Sequence, residues 1–173
     1  MDAVTFLISA LSKADLTLKR SLEGLSREEL MQQPAGEGSN PIGWLAWHLT
    51  FVRDIHGSRI AEEETVWRSQ KWYEKLGLGE TPPKYKPATV GAFDPVSAEL
   101  LLAYYEAVQE ATARRAAALN SEDWDRQLLQ PDPARSPETV SELFARIIND
   151  NVQHIGQIAY LRGLIKGQGW YGV

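Results

Sequence analysis

Apolar residues recur at three- and four-residue steps through four long stretches of the chain, the spacing that keeps them on one face of an α-helix. In the first stretch they are Phe6, Leu7, Leu11, Ala14, Leu18, Leu22 and Leu25, which predicts a helix over about residues 3–24. Ser26-Arg27-Glu28-Glu29 has the form of a capping box, in which a hydroxyl and a carboxylate three positions apart satisfy each other's free backbone amides. A short helical turn is expected there, closed by Pro34 and the glycines at 36 and 38. Asn40-Pro41 reads as a cap followed by proline in the first helical position. The second long helix then runs to about residue 63, with Ile42, Leu45, Leu49, Val52, Ile55 and Ile60 inward. Asp94-Pro95 and Ser136-Pro137 repeat the cap-plus-proline signal. They predict a third helix to about Leu119, with Val96, Leu100, Tyr104 and Val108 inward, and a last helix to about Lys166.

Four amphipathic helices without a convincing strand predict an all-α four-helix bundle. Thr89-Val90-Gly91 is too short, and too broken by glycine, to be a strand. The connection over about residues 64–93 exceeds the roughly 15 residues beyond which a connection in a compact domain is usually functional or carries short helices. Val66 to Leu76 is expected to form one of these. Such a connection can cross the bundle and leave helices two and three parallel, an up-down-down-up path. The whole chain, 173 residues, suits one domain.

Composition narrows the function. Hydrophobic residues make up 43% and charged residues 24%, ordinary for a globular protein. No apolar run reaches the roughly 18–20 residues that span a bilayer. Met1-Asp2 opens no basic leader, so a cytoplasmic protein is expected. There is no cysteine. Disulfides, thiolate metal ligands and a cysteine nucleophile are excluded, and any thiol chemistry must use a small-molecule thiol. A net charge of −5 with no Lys/Arg cluster argues against nucleic acid as a partner.

One anomaly interrupts the pattern. The inward stripe of the last helix is Val140, Leu143, Phe144 and Ile147, then Ile158, Leu161 and Ile165; between them the same positions hold Asp150, Asn151 and His154. Polar groups on a core face cost stability unless something pairs with them. Asp150 and His154, four residues apart, lie one turn from each other on the same face and can share one ion. His48 lies on the stripe of the second helix, between Leu45 and Val52, and can supply a third ligand. His56, about 12 Å further along that helix, cannot join the same ion and is expected to be exposed. The competing readings are a hydrogen-bonded core histidine at 48 and a structural ion pair between Asp150 and His154. Trp44 and Trp47 read as packing residues, and Arg162 as a surface charge.

Those residues carry a likeness. Trp44-Leu45-Ala46-Trp47-His48-Leu49 resembles the second-helix histidine motif of the DinB/YfiT-like superfamily, and His154-Ile155-Gly156-Gln157-Ile158 resembles its last-helix motif. Tyr160-Leu161-Arg162-Gly163 and Gly167-Gln168-Gly169-Trp170 look like the ending of a bacterial subgroup. The resemblance implies a four-helix bundle with the up-down-down-up path and a metal held by three histidines. The first matches His48 and the third His154. The second falls on Asp150, a departure that leaves a site of two histidines and one carboxylate. One divalent ion per chain is implied, zinc as first choice and nickel or iron as alternatives. Some relatives join a thiol such as mycothiol, bacillithiol or glutathione to an electrophile, so the expected partners are a small-molecule thiol and an electrophile.

Three functions stay open at this point. The first is a metal-dependent enzyme, an S-transferase or a hydrolase, since three protein ligands leave a position for water or thiolate. Its general base is not evident; Tyr104 and Tyr105 are the polar groups the third helix offers, while Asp54 points to another face than His48. The second is a non-catalytic stress or binding protein with a vestigial metal site. The third is a homodimer that packs through a tryptophan-rich surface, with Trp67 and Trp72 as its core.

Overall fold

The computed structural model describes residues 2–129, 134, 136–167 and 169–170. The four long helices are α1 (Ala3–Leu22), α3 (Ile42–Ala61), α7 (Ala98–Ala117) and α8 (Val140–Lys166). A short α2 (Arg27–Met31) follows α1, opened by the expected capping box between Ser26 and Glu29. The long connection carries α4 (Val66–Ser69), α5 (Trp72–Lys75) and α6 (Pro87–Gly91). Before α8, a 3-10 turn (Asp123–Asp125) leads into a two-residue ladder, β1 (Gln127–Leu128) antiparallel to β2 (Glu138–Thr139). This ladder has no counterpart in the sequence reading.

Cross-helix contacts give the path. Gly43 sits against Pro95 and Glu63 pairs with Arg114, so α3 and α7 run the same way. Lys19 pairs with Glu106 while Asp15 accepts from Gln109, so α1 opposes α7. His48 faces His154 while Leu49 O accepts from Asn151, so α3 opposes α8. The result is the up-down-down-up bundle.

Helix starts differ from the cap-plus-proline reading for local reasons. Pro41 O accepts from Leu45 N at 3.1 Å, so α3 begins one residue later than expected. The hydroxyl of Ser97, not the side chain of Asp94, caps α7 by accepting from Leu100 N. Pro95 instead packs so closely that a Cβ at Gly43 would lie 2.6 Å from its Cγ. Thr139 and Glu142 form a capping box that opens α8, and residues 136–137 lead into β2. The single helix expected from Val66 to Leu76 is two, because Lys71 between them adopts a left-handed conformation with φ 52°.

Burial follows the four stripes with three departures. Phe6, Ile55 and Val96 are exposed. Trp67 and Trp72 are buried in the aromatic layer over α3, 1% and 6% exposed, so they form no surface for a second copy. Charged side chains lie inside as well, among them Asp15, Arg53, Asp54 and Arg115. Arg53 reaches Asp15 at 3.3 Å, Tyr105 Oη at 3.0 Å and Thr112 Oγ at 3.2 Å, tying α3 to α1 and α7. Asp54 accepts from Val66 N and Trp67 N at 2.9 and 2.8 Å and stands 3.5 Å from Arg115, which anchors the start of the connection. No helix among the described residues is long and apolar enough to cross a membrane.

Candidate metal centre

α3 and α8 bring the three residues singled out by the sequence to one place. His48, Asp150 and His154 each present a ligand atom, and these atoms all lie within 4.8 Å of one another. The two imidazole rings meet edge to face, centroids 5.1 Å apart. His154 Nε2 stands 3.5 Å from Asp150 Oδ1, the one-turn contact that four-residue spacing provides. All three side chains are half-buried, at the border between the bundle interior and solvent. Asn151 takes the fully buried position beside them and donates to Leu49 O at 3.5 Å.

Protonation favours ligation at His48 and competes with it at His154. Burial holds His48 below its ordinary pKa, opposed by the charge of Asp150 and assisted by that of His154. Its lone pair is therefore free near neutrality. His154 is raised, first by its interaction with the Asp150 carboxylate and also by Gln157, against burial. A cation at the centre would replace that proton. Gln157 Oε1 lies 2.7 Å from His154 Nδ1. A carbonyl oxygen accepts only, so Nδ1 carries the hydrogen and Nε2 is the atom left to ligate. No role for Gln157 was read from sequence; its position three residues after His154, on the same helix face, was the signal.

The donor set fits a cation. Asp150 Oδ2 is buried and has no hydrogen-bond partner. A carboxylate oxygen in that state is unfavourable unless an ion or solvent completes it. Donors on a tetrahedral ion with bonds near 2.1 Å stand about 3.4 Å apart. The Asp150–His154 pair already matches that spacing at 3.5 Å, and the His48 ligand atom lies within 4.8 Å of both.

The remaining sequence candidates lie elsewhere. His56 is half-buried rather than exposed, its Nδ1 buried without a partner, and burial, Arg146 and Arg59 together push its pKa down. Tyr104 and Tyr105 direct their hydroxyls to Asp54 and Asp15 inside the bundle, and burial raises both phenols. Neither is a base for the cluster. Arg162 is half-buried, donating to Ser21 O at 3.0 Å, so it joins α8 to α1 rather than acting as a surface charge. Of the four-residue ending at 167–170, Gln168 lies outside the described residues. Trp44, stacked on His48 at 6.1 Å between centroids, and Trp47 are packing residues as expected, each 1% exposed.

Comparison with known proteins adds the family and the fold. The family model of the DinB superfamily matches residues 10–158, most of the chain. A crystal structure described as the conserved protein of locus from Enterococcus faecalis superposes with a TM-score of 0.84 at 23% identity. The match covers 97% of this chain and 99% of that one, and at this identity it shows the bundle alone. No curated protein matches.

Proposed function

The chain belongs to the DinB superfamily, and from that premise we propose that His48, Asp150 and His154 hold one divalent metal ion in an enzyme that joins a small-molecule thiol to an electrophile. The observation that carries the reading is the convergence of three donor atoms from two helices, with one carboxylate oxygen buried and unpartnered among them. Three protein donors leave a position for an outside ligand in the four-coordinate set usual for zinc. The ion would supply one service, lowering the pKa of a thiol or water. The chain's own residues do the rest. α3 and α8 hold the donors rigidly, Gln157 sets the tautomer of His154, and Trp44 shields one face of His48. In the transfer, a carbon–sulfur bond forms, the bond to the leaving group breaks with its electron pair, and the thiol proton goes to solvent. With no cysteine in the chain, the thiol comes from outside.

Elemental analysis tests the site. About one equivalent of zinc, nickel or iron per chain is expected. His48→Ala and His154→Ala should each lose it, and His56→Ala should keep it. Equal metal in all three variants removes the site. Thermal-shift measurements with mycothiol, bacillithiol and glutathione, with and without metal, then separate the transferase from a second reading. That reading, a non-catalytic binding protein with a weak site, is favoured by Asp150 standing where relatives have histidine. It predicts no metal-dependent shift with any thiol.

A further inference from the structure

The seam between α3 and α8 carries charge beyond the metal cluster. Arg146 lies four residues before Asp150 and eight before His154, so the three share one stripe of α8. On α3, Arg59 continues the stripe of His48, Val52 and Ile55. His56 stands among these groups. Burial pushes its pKa down first, then the charges of Arg146 and Arg59, against those of Glu138 and Asp150. All four charged side chains therefore lie close to one imidazole.

Glu138 joins the two arginines and leaves charge over. It is buried, with Arg59 Nη1 at 3.7 Å and a hydrogen bond from Arg146. Two guanidiniums on one carboxylate give a positive surplus in a chain of net charge −5. Arg59 also donates to Leu128 O and Leu129 O, at 3.1 and 2.6 Å. Arg146 differs. A guanidinium carries five N–H donors, and among the described residues only the contact with Glu138 takes one of them. Arg146 is exposed, so the others are open to a ligand. It turns back to Glu138 and makes no ion pair with Asp150, the acid one turn further on, whose Oδ2 has no hydrogen-bond partner. Asp150 is thereby kept for the metal.

This surplus narrows the thiol. A divalent ion exceeds the charge of Asp150, and a bound thiolate cancels the remainder. The charge at Arg146 is left, on a Cα roughly 6 Å along the helix from that of Asp150. A small thiol lying along the seam from the ion passes the half-buried Val52 and the exposed Ile55 towards that guanidinium. The group that matches a guanidinium fork is a carboxylate.

We propose that Arg146 binds a carboxylate of the thiol cosubstrate, so that the chain takes carboxylate-bearing thiols in preference to uncharged ones. The thiol itself rests on the metal reading above; the preference for an anion rests on the arginine pair.

Acid and ester forms of one thiol test this on the full chain. Glutathione and its diethyl ester are titrated into zinc-treated protein by calorimetry, with zinc content measured on the same samples. Glutathione should bind at least tenfold more tightly than the ester, a comparison that needs no variant. Arg146→Gln should abolish the preference and Arg146→Lys should keep part of it, both with full zinc; melting curves check that each variant is folded. S-methylglutathione, which has no thiolate to give the ion, is titrated into metal-free protein and should saturably shift the NMR signal of the Arg146 Nε–H. Equal affinity for acid and ester at full zinc, or a preference that survives in folded Arg146→Gln, overturns the arginine site and leaves the metal reading standing. A chain that takes no zinc overturns the metal reading. The arginine site then stands if S-methylglutathione shifts Arg146 and falls if it does not.

Discussion

His154 is held from two sides, by Gln157 at Nδ1 and by Asp150 beside Nε2. Each contact makes a separate prediction. Gln157→Leu removes the acceptor that fixes the tautomer and should weaken metal binding about 10- to 100-fold, read by chelator competition, with melting unchanged. Asp150→Asn removes the main cause of the raised His154 pKa. Its imidazole should then titrate lower, which an NMR pH titration of the metal-free protein checks. Protons and metal compete for the same Nε2 atom. The His154 pKa is raised, so metal affinity should begin to fall while the pH is still above the ordinary histidine value of about 6.5. His48, lowered by burial, should lose its lone pair only below that value. An affinity independent of pH from 8 to 6 would contradict this order.

The elements place the donors, and their ends can be tested apart from the chemistry. Thr139 and Glu142 cap α8 reciprocally. Thr139→Ala should cost about 1 kcal/mol in urea unfolding and leave metal content unchanged, since Asp150 lies eleven residues further on. Gly43 is a glycine because α3 passes against Pro95 there. Gly43→Ala forces that contact and should cost about 1–3 kcal/mol. Gly156, inside the histidine motif, is different. It is exposed and a Cβ would meet nothing within 4 Å. Gly156→Ala should stabilise α8 by about 0.5–1 kcal/mol. These three positions show how local signals were read. The capping boxes were legible at α2 and overlooked at α8, where Ser136-Pro137 competed for the same role.

Across the molecule, the interior joins helices through charge as well as apolar packing. Arg53 connects α3 to Asp15 on α1 and to Tyr105 and Thr112 on α7, with both charged partners almost wholly buried. Removing one side of such a pair leaves the other buried without compensation. Arg53→Leu should therefore cost about 3–5 kcal/mol, measured by denaturant unfolding. A loss below about 1 kcal/mol would mean that the pair contributes little to the joining of the helices.

Periodicity alone determined the four long helices, the long connection between the second and third, and the polar residues on core stripes, because a 3.6-residue repeat dictates which side chains share a face. It could not separate the meanings of those polar residues. Asp15 sits between Leu11 and Leu18 as Asp150 sits between Ile147 and His154, the same signature in the chain. One meets an arginine and the other two imidazoles, and only the packing of α1, α3, α7 and α8 decides which. The burial of Trp67 and Trp72 and the half-burial of His56 likewise come from distant segments meeting. A linear pattern records which face a residue occupies, and the fold alone supplies what stands opposite it.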